Sequence, residues 1–465
     1  MQAETSGTTK TFGLLAGVRR LFASLVMLSL LWTSPARAQS ILRDAETEAL
    51  FADMSRDLIR AAGLSPNTVK VVLINDDSIN AFVAGGQIVY VHSGLLQAAS
   101  SANQVQGVIA HELGHIADGH VVTGDQGAKP AMGITVLSLV LGLAAMAAGA
   151  GDAGAGILAA GQQAAMGKYL AFSRTQEATA DASAVKYLRT AGVSGKGMLS
   201  FFKVLQQEEY RYGLSNIDPF MQTHPLSGER IQNMTADLQA QPAWNKAPDA
   251  GLEERFKRVK AKLEGYVMEP SRTMRDYPES DQSLYAHYAR AYAFHKGGYP
   301  DKADAEAVAL VKADPTDPYF QEIRGQILLE AGKPGEALSY LKAATAGSNN
   351  NSLIATTYGH ALIATEDKAN YPEAVRVLRL AVARDTDNPF GWYQLGMAYE
   401  ASGDTAHAAL ASAEQASLTG DSRTAAQSAR TAMAGIKPNT PDWIRAQDIA
   451  MTAQNDLDDN KKKRR

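Results

Sequence analysis

The sequence predicts an α+β fold: a mainly helical domain with a small β-sheet, followed by an all-α solenoid of stacked helical hairpins. Three observations carry that expectation. Short runs rich in valine, isoleucine and aromatic residues lie between Val69 and Val91, punctuated by Gly85-Gly86. The next stretch, from Gln104, is apolar at helical spacing and holds His111 and His115 four residues apart, with Glu112 between them. Far downstream, Gly325 and Gly359 mark a 34-residue period.

At 465 residues the chain is long enough for two or three domains. A hydrophobic content of 45% and a charged content of 20% are ordinary for globular proteins, and the net charge of −4 gives no reason to expect a nucleic-acid partner. Lys10, Arg19 and Arg20 precede an apolar run from Leu21 to Trp32, and Ala36-Arg37-Ala38 then offers a small-residue cleavage site. Residues 1–38 therefore read as a signal peptide and the remainder as an exported chain. The rival reading is a retained N-terminal anchor, although the run is short for a bilayer. The chain contains no cysteine, so neither disulfides nor thiol control operates in it.

After the signal, residues 41–62 read as an amphipathic helix. Val69–Ile74, Ala81–Ala84 and Gln87–Val91 read as strands, the last two joined by a two-residue hairpin at Gly85-Gly86. Such a hairpin would present an edge strand along a site on the following helix. An extended polypeptide could pair with that edge through backbone hydrogen bonds, without strong side-chain preference.

On a helix, His111 and His115 point the same way and can grip one metal ion, while Glu112 lies about 100° round the axis, near a metal-activated water. The plain alternative is a solvent-exposed helix pair. A hydrolytic zinc site needs three protein ligands and one open position. The pattern that supplies a third histidine requires glycine at 118 and histidine at 121, but Asp118 and Val121 stand there. His120, one place short, reads as a surface residue or as support for a ligand. A second helix from Tyr169 offers Glu177 and Asp181 on one face. Glu177 would bind the metal and Asp181 would hold a ligand histidine by its free ring nitrogen. Taken alone, that pair would be an exposed acidic face.

The combination of His111-Glu112-Leu113-Gly114-His115 with Ser173-Arg174-Thr175-Gln176-Glu177-Ala178-Thr179-Ala180-Asp181 resembles the gluzincin metallopeptidases that include the HtpX-type and CAAX-prenyl-type proteases. With the C-terminal repeats, the likeness is greatest to the periplasmic branch of that family that enhances outer-membrane beta-barrel assembly. It covers nearly the whole mature chain. The resemblance implies a gluzincin-type fold for residues 39–265, with His111, His115 and Glu177 as zinc (Zn2+) ligands, Glu112 as general base and Asp181 behind them. It implies a further catalytic-site residue in the segment Thr223–Ile231, where His224 would either block the zinc or swing away and assist catalysis. Arg230 of the same segment would steady that loop or the oxyanion.

Met132–Ala150 is nearly free of charge for about the length of a membrane span, yet consists largely of alanine and glycine, whose gain on insertion is weak. It reads as a lid or membrane-leaning helix, with peripheral membrane contact through residues 131–150; a true span is the alternative. Residues 266–280, including Glu269-Pro270 to Pro278, read as a polar linker. Residues 281–455 read as a tetratricopeptide domain. Trp392, Leu395, Gly396, Tyr399 and Ala408 fit one unit; Gly359 and Ala374 fit a second, with an insertion at 367–370. Gly325 and Ala337 fit a third, and Ala291, Phe294 and Ala303 a degenerate first. Segments after Thr419, with Trp443 and Ile444, would cap the solenoid or begin a fifth unit. Residues 456–465 read as a disordered tail.

Three functions compete. One is a zinc endopeptidase of the periplasm acting on misfolded or stalled outer-membrane proteins, docked to the outer-membrane assembly machinery through its repeats. Another is a chaperone or assembly scaffold with a silent metal site. The third is a membrane-bound protease of the HtpX type. The expectation adopted is the first, with chaperone activity accompanying it.

Overall fold

The computed structural model describes residues 40–147, 151–212, 224 and 228–463. The expected signal peptide, Ala148–Ala150 and most of the segment around His224 lie outside the described residues. Four strands, β1 (Ser40–Leu42), β2 (Lys70–Asn75), β3 (Ala81–Ala84) and β4 (Ile88–His92), form one sheet in the order β1-β2-β4-β3. β2 runs parallel to β4, and β3 antiparallel to it with Ala84 opposite Ile88. The connection therefore spans Gly85 to Gln87, one residue longer than the two-residue hairpin expected. Gly85 and Gly86 adopt φ of +62° and +95°, conformations that strongly favour glycine. β3 is one edge of the sheet, as the sequence suggested.

The first helix, α1 (Ala45–Ala61), starts later than expected because Ile41 and Leu42 join the sheet. Asp44 caps it by accepting from the Thr47 amide. Leu50, Phe51, Met54 and Leu58 recur at helical spacing and are fully buried against the sheet and the helices that follow. A short α2 (Ser93–Ala98) leads into α3 (Ala102–Ala117), which is reciprocally capped. Ser101 accepts from the Gln104 amide, while the Gln104 side chain accepts from the Ser100 amide. Every residue from Ala102 to His115 is buried, so α3 is packed all round. Two glycines allow this. A Cβ on Gly107 would sit 2.6 Å from the Met198 backbone, and one on Gly114 would sit 2.8 Å from the Ala180 carbonyl oxygen.

α4 (His120–Ala147) and α5 (Gly151–Ala191) form a long hairpin. Gly142 meets Leu158, Gly154 meets Met146 and Gly161 meets Ser138, a pairing that runs antiparallel. α6 (Lys196–Tyr212), α7 (Gly228–Gln239) and α8 (Ala250–Val267) complete the first domain. The expected polar linker at 266–280 is partly helical. Its middle is a helix, α9 (Pro270–Asp276), because Pro270 occupies the first helical position, where a missing amide hydrogen costs nothing.

The repeats are helix pairs: α10 (Leu284–Lys296) with α11 (Pro300–Ala313), α12 (Pro318–Glu330) with α13 (Pro334–Gly347), α14 (Ser352–Ala364) with α15 (Tyr371–Arg384), and α16 (Pro389–Ala401) with α17 (Thr405–Leu418). Gly325 and Gly359 lie where the second helix of their pair presses closest, against Leu341 and Leu378. The insertion at 367–370 is a short 3-10 turn. A fifth pair follows, α18 (Ser422–Gly435) and α19 (Pro441–Lys463). α19 continues through most of the stretch expected to be disordered from 456. Leu457 packs on the Ala416–Ala425 cluster, and Asp458–Lys461 and Asp459–Lys462 pair along the surface.

Candidate metal centre

The site is assembled from three separated pieces of chain. α3 places the rings of His111 and His115 one turn apart, with centroids 4.8 Å apart and Nε2 atoms 3.2 Å apart. Across from them α5 brings the Glu177 carboxylate, with Oε2 3.3 Å from His111 Nε2 and Oε1 3.3 Å from His115 Nε2. The fourth member is His224, whose Nδ1 lies 3.3 Å from His111 Nε2 and 3.1 Å from both Glu177 oxygens. All four residues are buried, and their nearest donor atoms lie within 4.8 Å of one another. Tetrahedral ligands about 2.0–2.1 Å from a central ion are separated by roughly 3.3 Å along each edge. The observed nitrogen–nitrogen and nitrogen–oxygen spacings match that edge.

Glu112 lies against this cluster. It is fully buried, and neither carboxylate oxygen has a hydrogen-bond partner; Oε1 is 3.6 Å from His224 Nε2. A buried carboxylate without hydrogen bonds costs several kcal/mol unless a polar group or cation at the site compensates it. The donor set and this orphaned carboxylate together fit a divalent cation and a polar reactant beside it.

A second layer holds the donors in place. Asp181 Oδ1 lies 3.0 Å from His111 Nδ1, the ring nitrogen facing away from the cluster. Arg230 grips Asp181 through Nε at 2.6 Å and a terminal nitrogen at 2.9 Å, and reaches Glu177 Oε2 at 3.1 Å. Its guanidinium sits 5.9 Å from the Phe202 ring centroid. The sequence offered Arg230 a place on the loop or the oxyanion; the structure sets it on the two carboxylates of α5. His120, read as a surface or supporting residue, supports His115. Its Nδ1 lies 2.9 Å from His115 Nδ1 and its Nε2 3.0 Å from Thr179 Oγ1. If His115 Nε2 is to face a metal, Nδ1 must carry the proton and donate to His120, which in turn donates from Nε2 to Thr179. Phe202 went unnoticed in the sequence, since its place under Arg230 arises from tertiary packing alone.

The electrostatics follow from burial and close pairing. Burial alone would raise the Glu177 carboxyl. The His224 charge and hydrogen bonds from His111 and His115 outweigh it and hold Glu177 far below the usual carboxylate range. Asp181 is likewise lowered against burial, chiefly by Arg230 and His111. Burial opposes a proton on His111, but hydrogen bonds to Asp181 and Glu177 prevail and raise it to about 10. His115 is lowered, with burial as the main cause.

On the open side, Phe82 and Val83 of β3 face Tyr169, Phe172 and Gln176 of α5 across a cleft of about 200 Å³ that reaches Glu112, His115 and Glu177. The edge strand is thus one wall of the site.

Residues 44–237 match the model of Peptidase family M48. The chain is 26% identical over 361 residues to the beta-barrel assembly-enhancing protease of Escherichia coli (strain K12), covering 75% of this chain and 71% of the relative. It is 24% identical over 355 residues to the protein of that name from Yersinia pestis, again covering 75% and 71%. A shorter likeness, 34% over 180 residues, covers 38% of this chain and 64% of the metalloprotease LoiP of Escherichia coli (strain K12).

Proposed function

We propose, from the premise that residues 44–237 form a peptidase family M48 domain and the chain is a metal-dependent protease, that the ion is zinc and that His111, His115 and Glu177 hold it. Two imidazoles and one carboxylate are a common catalytic zinc set that leaves one position for chemistry. When bound, zinc supplies Lewis acidity to the attacking water and the scissile carbonyl. Glu112 takes the proton from that water as it adds to the carbonyl carbon, then delivers it to the amine as the carbon–nitrogen bond breaks. Two peptides leave, and no residue of the chain is acylated. Asp181 orients His111 and His120 orients His115, while Arg230 keeps both carboxylates of α5 ionised and aligned. His224 takes the fourth donor place at rest and withdraws when substrate enters.

The observation that carries this reading is Glu112, a fully buried carboxylate without hydrogen bonds beside four convergent donors. Glu112→Gln is expected to keep its metal and lose casein cleavage. Undiminished cleavage by that variant would overturn the assignment.

The substrates are unfolded segments of misassembled outer-membrane proteins in the periplasm, laid along β3 and directed by the solenoid, which docks on the assembly machinery. The names of the full-length relatives and the edge strand beside the cleft support this. Chaperone activity accompanies proteolysis in the same chain. The α4–α5 hairpin leans on the membrane. Lys129–Met146 is long and apolar enough to cross one, only 11% of it is buried, and Val136, Leu137, Val140 and Leu141 are exposed. The same helix favours a second reading, a membrane-bound protease. Alkaline carbonate should release the chain if the hairpin lies on the surface; retention in the pellet supports a span.

A further inference from the structure

A second cavity lies between the first domain and the repeats, and shares no lining residue with the metal-site cleft. It measures about 620 Å³ and is walled by the start of α1, by α8, and by the first helices of four repeats, α10, α12, α14 and α16. The charges around it do not balance. Arg258 donates a hydrogen bond to Asp317 at 2.8 Å and forms an ion pair with Glu46 at 2.8 Å, and Lys262 reaches Asp44 at 2.5 Å and Glu46 at 3.7 Å. Two cations thus serve three carboxylates; Arg43, the other cation on the lining, is held by Glu48 and Asp385, and the lining Asp387 by Lys70. A fourth carboxylate, Glu322 of α12, lines the cavity with only 9% of its surface exposed. Its Oε2 has no hydrogen-bond partner. Burial pushes its carboxyl up to about 8, with Lys262 opposing only in part. The remaining walls include three aromatic rings, Tyr266, Tyr292 and Phe390, of which Tyr266 and Phe390 are half exposed.

We propose that this chamber binds an organic cation presented by a partner polypeptide, a lysine or arginine side chain, with Glu322 as counter-ion and the aromatic rings as walls. Charge complementarity selects the occupant. The joint carries an excess of buried carboxylate, and carboxylate with aromatic faces is the environment that stabilises ammonium and guanidinium groups. Beside an apolar or acidic side chain Glu322 keeps its proton, whereas an organic cation favours the ionised carboxylate and pairs with it. Because both domains contribute walls, the occupant would bridge the solenoid to the peptidase domain. The proposal deepens the docking role given above to the solenoid and rests on it, but not on the metal centre.

The test uses the full chain carrying Glu112→Gln, so that probes survive. The capped peptide acetyl-Ala-Ala-Lys-Ala-Ala-amide is titrated calorimetrically beside the same peptide with norleucine in place of lysine. The lysine peptide is expected to bind about tenfold more tightly, the scale of one charge-assisted contact. Adding Glu322→Gln should abolish that preference. Phe390→Ala, a change at a half-exposed wall, should weaken the lysine peptide several-fold and keeps the test open if Glu322→Gln fails to fold. Equal binding of the two peptides, a lysine preference that survives Glu322→Gln, or unchanged affinity in Phe390→Ala would overturn the proposal. Displacement of the lysine peptide by calcium chloride would also overturn it, in favour of a metal ion. Casein cleavage by the chain with Glu112 intact tests the peptidase reading separately, whichever way the peptides behave.

Discussion

His120→Ala isolates one link in the metal centre. His120 touches none of the reacting atoms; its Nδ1 lies 2.9 Å from His115 Nδ1, and with His115 Nε2 turned to a metal it would accept the hydrogen bond from that nitrogen. His115 is only 8% exposed, so removing the acceptor strands a buried N–H and frees the ring to rotate. An unsatisfied buried donor costs about 1–3 kcal/mol, and loss of a partner behind a ligand typically weakens metal affinity by about 10–100-fold. Zinc affinity, read by competition with a chromophoric chelator, is expected to fall within that range. His120→Gln, whose amide oxygen can still accept, should recover part of the loss. Melting of the metal-free chain should change far less than zinc affinity does. A zinc affinity within about twofold of wild type would refute the reasoning, since a hydrogen bond of even 1 kcal/mol exceeds that.

Three further outcomes follow from the geometry. His224→Ala should keep the zinc and raise the rate of casein cleavage, because it opens the fourth donor position; an inactive variant would make His224 part of the catalytic machinery. Gly114→Ala places a methyl 2.8 Å from the Ala180 carbonyl oxygen and 2.9 Å from its Cα, forcing α3 from α5. It should cost about 1–3 kcal/mol and loosen the metal, because His111 and His115 then retreat from Glu177; unchanged melting and zinc content would contradict this packing. Glu322, with its carboxyl raised from 4.5 to about 8, contributes stability at low pH that is lost as pH rises through that value. Glu322→Gln should therefore gain in melting temperature relative to wild type between about pH 5 and 8; a parallel pH dependence would sink that assignment.

Much of the site was legible because its parts obey short-range rules. His111, Glu112 and His115 share a helix, where spacing alone sets direction, and Glu177 and Asp181 do the same on α5. What joins the two helices is not local. Gly107 and Gly114 let α3 be packed on every side, but nothing beside them in sequence names Met198 or Ala180 as the neighbour. Arg230 could be found but not placed, since its partners come from a helix some 50 residues earlier. His120 follows a turn at Gly119 with φ of +71°, which swings it back beside His115; no helical spacing describes that path. The repeats were legible from their glycines, whereas the helix within residues 266–280 was hidden by polar composition. The joint between domains was hidden altogether. Arg43 with Asp385, and Lys70 with Asp387, pair across more than 300 residues, and each charge alone looks like ordinary solvated surface.

Zinc stoichiometry of the purified chain and two variants tests the central claim most directly. Plasma mass spectrometry should find one zinc per chain in the wild type and in Glu112→Gln, and almost none in Glu177→Ala, because the carboxylate on α5 closes the site and Glu112 does not bind the ion. A full complement of zinc in Glu177→Ala, or its loss in Glu112→Gln, would contradict the account.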